Sequence, residues 1–94
     1  MSYMEQNIIG SIFLWPEETA HVYDKLSPEC FADPDCREIY RTIFRMHKSG
    51  GVIDKTTVLA QLTTPEQRAI TAQCADQVPC LEHFGHYVHT VFDD

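Results

Sequence analysis

The sequence predicts an all-α fold, a compact orthogonal bundle of six or seven short helices forming one domain over residues 1–94. Three observations predict it. Helix-opening punctuation recurs along the chain in one form: a capping residue, a proline, then an acid. Proline at the first helical position gives up a hydrogen bond that the helix lacks there anyway, so this syntax marks helix starts. Strand signals are nearly absent, Gly51-Val52-Ile53 being the one short β-like stretch. The stretch from Cys36 to Lys48 separates cleanly into an apolar and a basic side at helical spacing.

The elements follow in order. Ser2 and Glu5 form a capping box, opening a helix through about Trp15 with Met4, Ile8 and Ile12 on one face and Ile9 and Phe13 beside them. Pro16-Glu17-Glu18 opens a second helix whose apolar positions are Val22 and Leu26. Ser27-Pro28-Glu29 begins a single turn ending at Phe31. Asp33-Pro34-Asp35 starts the longest helix, and Gly50-Gly51 stops it. Asp54 caps a short helix containing Val58, Leu59 and Leu62, and Thr64-Pro65-Glu66-Gln67 is a second capping box. Pro79 opens a last helix with Leu81, Phe84, Val88, Val91 and Phe92 as its apolar side.

Composition bounds the function classes. Hydrophobic residues make up 44% of the chain and charged ones 22%, an ordinary globular balance, with a formal net charge of −7. That charge opposes generic nucleic-acid binding, whose affinity comes from Lys and Arg displacing counterions from phosphates, and opposes an anionic membrane surface equally. A protein partner fits it better. The N-terminus Met1-Ser2-Tyr3-Met4-Glu5 lacks the basic flank of a secretory signal, and the apolar run from Ile8 to Trp15 is too short to span a bilayer. The expectation is a cytoplasmic protein whose Cys30, Cys36, Cys74 and Cys80 are thiols.

Four of the seven basic residues, Arg37, Arg41, Arg45 and Lys48, recur at steps of four, four and three in the Asp33–Gly51 stretch. With Ile39 set to zero and about 100° per residue, Ile43, Cys36, His47, Tyr40 and Phe44 fall between roughly 40° and 140°. The four basic residues fall between roughly 160° and 240°. One reading is a solvated outer face whose arginine stems cover apolar surface. The functional reading is a docking surface for an acidic partner, since segregated charge speeds and orients encounter. Duplex DNA is a third and poorer reading.

Chemistry-bearing motifs are missing. Lys48-Ser49-Gly50-Gly51 has the letters of a phosphate-binding loop in the wrong order, so no nucleotide-hydrolysing site is assigned. Cys80, His83, His86 and His89 step by three like a ligand ladder, yet each such step turns a helix by about 300°, so the three histidines fan across roughly 120°. Neither cysteine pair has a zinc-site spacing. Cys74 sits between Ala72 and Ala75 as a small apolar group, and Cys36 lies beside Asp33 and Asp35, which oppose thiolate formation. No catalytic residue, cofactor or metal ligand is assigned.

Four segments, taken in order, follow the pattern of one known family. "MEQNIIGSIFLWPE" is similar to that family's opening "AEQxxLGxLLLDPE", with Glu5, Gln6 and Gly10 in register. "LSPECF" resembles its L-x-x-x-x-F turn. "CREIYRTIFRMHKSGGVIDKTTV" resembles its "HRxIFxxIxxLxxxGxxIDxxTV" core through Arg37, Ile39, Gly50, Ile53, Asp54, Thr57 and Val58. "ADQVPCLEHFGHYVHTV" is similar to "AxxVPSxxNxxxYAxIV" through Val78, Pro79, Tyr87 and Val91, and through these four segments the chain resembles the N-terminal domain of DnaB-type replicative DNA helicases. Cys36 stands where the family commonly has His, and the segment after Leu62 is shorter and lacks the usual glycines, which suggests a divergent member, from a phage or mobile element. Gly10 in mid-helix fits a second helix crossing closely there.

The resemblance implies a non-catalytic contribution to the N-terminal collar of a ring-shaped hexamer. Its implied partners in DNA replication are the other helicase subunits and a primase or loader. In that family a helical hairpin, a linker and the ATP-dependent motor follow, so the chain alone is expected to be a monomer or weak dimer. Arg37, Arg41, Arg45 and Lys48 are then the candidate partner-binding face. The alternative is a free-standing adaptor or inhibitor that binds a replicative helicase or its primase.

Overall fold

The computed structural model describes residues 3–74, 76 and 81–93. Six α-helices run in the order α1 (Tyr3–Leu14), α2 (Val22–Lys25), α3 (Pro34–Lys48), α4 (Lys55–Gln61), α5 (Pro65–Cys74) and α6 (Phe84–Asp93). 3₁₀ turns at Pro28–Cys30 and Leu81–His83 precede α3 and α6, and the described residues contain no strand. The fold is all-α, as the punctuation predicts. Ser2, Val78, Pro79 and Cys80 lie outside the described residues.

α1 is the central helix. Ile8, Ile9 and Ile12 are fully buried and Phe13 nearly so, against α3, α5 and α6. Each such side chain contributes about 1.5–3 kcal/mol of burial free energy relative to exposure. The helix is covered on almost every side rather than along one stripe, since Glu5, Gln6, Gly10 and Ser11 are buried too. Met4, placed on the apolar face by spacing, is instead 39% exposed, while Glu5 is 4% exposed. Glu5 can be inside because its carboxylate oxygens accept hydrogen bonds from the backbone N–H groups of Ala32 at 2.9 Å and Asp33 at 3.1 Å. A buried charge is tolerated only with such partners.

The helix expected from Pro16 is reduced to four residues. Thr19 is fully buried, and both its hydroxyl (2.8 Å) and its N–H (3.1 Å) donate to the Trp15 carbonyl. The next N–H groups then reach back only three residues, Ala20 to Glu17 and Val22 to Thr19, and regular winding waits until Val22. Local side-chain bonds of this kind compete with the α-helical ladder. α4 opens as expected: Asp54 accepts from the Thr57 N–H at 2.8 Å and Thr57 Oγ1 accepts from the Asp54 N–H at 2.9 Å, a reciprocal cap. In α6, Phe84, Val88 and Val91 are buried, but Phe92 is 51% exposed. One residue past Val91 turns it about 100° away from the core side.

Candidate functional site

The candidate face lies on α3, and both ends of that helix are set by sequence. Asp33 Oδ1 accepts from the N–H groups of Asp35 (2.9 Å) and Cys36 (3.1 Å), with Pro34 in the first position. At the far end Gly50 takes φ +77°, a conformation that L side chains rarely adopt. The Gly51 N–H bonds to the Met46 carbonyl at 2.9 Å and the Gly50 N–H to the His47 carbonyl at 3.1 Å, the paired bonds of a Schellman stop. The register fixed this way buries Cys36, Ile39, Tyr40 and Ile43 completely. The Tyr40 hydroxyl donates to the Leu26 carbonyl at 2.8 Å, and its ring stacks on Phe31 at 4.6 Å. Burial, then the neighbouring Tyr23 and Cys30, push the Tyr40 phenol far above its usual pKa.

With the apolar side held in the core, the four basic residues line the opposite side in four different settings. Arg37 is partly buried; its Nε donates to the Phe31 carbonyl at 3.0 Å and its guanidinium reaches the Ala32 carbonyl at 3.4 Å. Arg41 pairs with Glu38, one turn earlier, and with Glu29 of the preceding 3₁₀ turn at 3.7 Å. Arg45 is exposed. Lys48 is exposed and lies over the Phe44 ring, 5.1 Å from its centroid. Beside them His47 stacks on Tyr23 at 3.9 Å and 14°. Glu38 was legible as a partner from its three-residue spacing to Arg41, whereas Glu29 comes from another element and carried no sequence signal.

Elsewhere the structure gives the reactive side chains quiet surroundings. Cys30, Cys36 and Cys74 are free thiols, Cys36 and Cys74 fully buried. Burial pushes Cys74 up to about 12, and burial with Asp33 and Glu5 nearby pushes Cys36 further in the same direction. Neither is poised as a nucleophile. His83, at the end of the 3₁₀ turn, and His86 and His89 on α6 are exposed, and Cys80 lies outside the described residues. Among the described residues no cluster of three or more His, Cys, Asp or Glu side chains is placed to hold a metal. No ligand-sized pocket opens among them, and no helix is long and apolar enough to cross a membrane.

Two comparisons bear on this arrangement. The family model described as DnaB-like helicase N terminal domain matches residues 2–93. Replicative DNA helicase DnaB of Geobacillus stearothermophilus is 28% identical over 93 residues, covering 93% of this chain and 20% of that protein. The chain thus spans about a fifth of the length of the curated relative it matches. It belongs to the DnaB-like helicase N-terminal domain family.

Proposed function

From that membership we propose that residues 1–94 act as one non-catalytic, cytoplasmic protein-interaction domain in the N-terminal collar of a hexameric replicative helicase. The domain helps assemble the ring and docks a primase or a helicase loader. Its docking face is the outer side of α3, formed by Arg37, Arg41, Arg45 and Lys48. The observation that carries this reading is the segregation of charge on α3. In a chain of net charge −7, one helix turns basic side chains outward while its opposite side is locked into the core. Such a patch steers and orients an acidic protein surface, and the overall charge works against nucleic acid at the same place.

The test is binding of purified primase or loader to the domain by calorimetry, with the double substitution Arg41→Glu, Arg45→Glu. Weakened binding with unchanged helicity and melting supports the reading; unchanged affinity returns the face to simple solvation. The free-standing adaptor reading uses the same face and is separated by the mass of the native protein in its source cells. A species several times larger than 10.8 kDa places the domain in a helicase, and one at 10.8 kDa places it in an adaptor.

A further inference from the structure

The α3 face already holds two carboxylates, and their placement says what kind of partner group fits there. Arg41 is paired with Glu38 from its own helix and with Glu29 from a separate turn. These pairs sit in solvent, the side chains of Arg41, Glu38 and Glu29 being 41%, 47% and 72% exposed. Ion pairs at that exposure are weak and exchange readily with competing carboxylates. One turn further, Arg45 is exposed with no carboxylate of the chain beside it among the described residues, and another turn on Lys48 is exposed over Phe44. Arg37 differs in kind, because its guanidinium is already committed to the Phe31 and Ala32 carbonyls.

Resting on the docking reading above, we propose that the occupant of this face is an acidic α-helical segment of a partner protein. One of its carboxylates displaces Glu29 from Arg41, and others meet Arg45 and Lys48. The spacing favours a helix as the occupant. The cationic positions 41, 45 and 48 repeat at one-turn steps over about 10 Å of helix axis, which matches carboxylates spaced four and three residues apart on a second helix. Glu29 is then an internal competitor, and Arg37, already bonded to the Phe31 and Ala32 carbonyls, is the weakest contributor to the face.

The probe is a synthetic, end-capped helical peptide with glutamates at positions i, i+4 and i+7, titrated into the full 94-residue chain at low salt and followed by amide NMR shifts. A Gln-substituted peptide and a single-stranded oligothymidine of equal charge serve as comparators. The expected result is binding confined to the Arg41–Ser49 segment and absent with the Gln peptide. Arg45→Glu with Lys48→Glu should weaken it roughly ten-fold, and Glu29→Gln should strengthen it roughly two-fold, since exposed pairs are individually worth little. Arg37→Gln should lower the melting temperature and weaken peptide binding less than Arg45→Glu with Lys48→Glu does. Tighter binding of oligothymidine, no effect of Glu29→Gln, or shifts mapping to another face overturns the proposal. Peptide binding without any primase or loader binding would sink the helicase-docking reading alone. Primase or loader binding without peptide binding would sink this proposal alone.

Discussion

Replacing Glu5 tests the least obvious contact in the fold. The carboxylate is 4% exposed and accepts from the N–H groups of Ala32 and Asp33, tying α1 to the loop that precedes α3 across 27 and 28 residues. Glu5→Ala leaves two backbone donors without those acceptors and opens a void beside α1. Each hydrogen bond to a charged group contributes about 1.5–3 kcal/mol, so a loss of about 3–4 kcal/mol is expected after partial access of water. Glu5→Gln keeps one acceptor oxygen but turns an NH₂ donor toward the second N–H, for a loss of about 2 kcal/mol. A chain of this length is stable by about 5–14 kcal/mol, so both variants still fold. Urea denaturation followed by far-UV circular dichroism reads the effect. At a slope of about 1.5 kcal/mol/M the midpoint falls by about 2 M for Ala and about 1.3 M for Gln. A shift below about 0.3 M for Glu5→Ala would refute the claim that this carboxylate holds the two segments together.

Further outcomes follow from the same reasoning. Ser11 Oγ and Thr71 Oγ1 are buried without a hydrogen-bond partner among the described residues. Ser11→Ala and Thr71→Val should therefore each stabilise the domain by about 1 kcal/mol in urea melts, and a loss of stability would show that these hydroxyls are satisfied in solution. Gly50→Ala forces a side chain into φ +77° and should cost about 1 kcal/mol, read as a lower melting temperature, with Gly50→Asn milder. Burial raises Cys74 from 9.0 to about 12 and Tyr23 from 10.0 to about 12, with Cys36 and Tyr40 raised in the same direction. The folded state then holds these protons more tightly than the unfolded chain. Stability should be intact below about pH 9 and fall as pH rises from about 9 toward 12, and a flat profile over that range contradicts the burial. At about pH 8, Cys36 and Cys74 should react with a thiol reagent only after unfolding.

Much of the fold was legible because helix ends are written locally. Asp33, Asp54 and Gly50 act within three or four residues of themselves, and the structure uses each as the sequence announces. The apolar side of α3 was equally plain from its spacing. What local pattern did not contain was contact between distant segments. Glu5 read as half of a capping box with Ser2, and its bonds to Ala32 and Asp33 depend on how α1 meets the loop before α3. Thr19 shortened the second helix through burial that periodicity does not encode. On the candidate face, spacing placed Arg37, Arg41, Arg45 and Lys48 together, but their differing availability arises from carbonyls and carboxylates supplied by another element.

The central position of α1 sets an order of events during synthesis. Ile8, Ile9 and Ile12 precede the ends of α5 and α6, two of the helices that cover them, by about 60–80 residues of chain. At about 5–20 residues per second, the wait for those 60–80 residues is roughly 3–16 s. Throughout that interval Ile8, Ile9 and Ile12 lack their final cover, and the growing chain is most prone to aggregate or engage a chaperone. One long-range hold already within reach is the Glu5 carboxylate on the backbone of Ala32 and Asp33, which emerge well before α5 and α6. The core closes only with the arrival of α6, so a stalled or clipped chain ending before Phe84 exposes the most apolar helix of the domain.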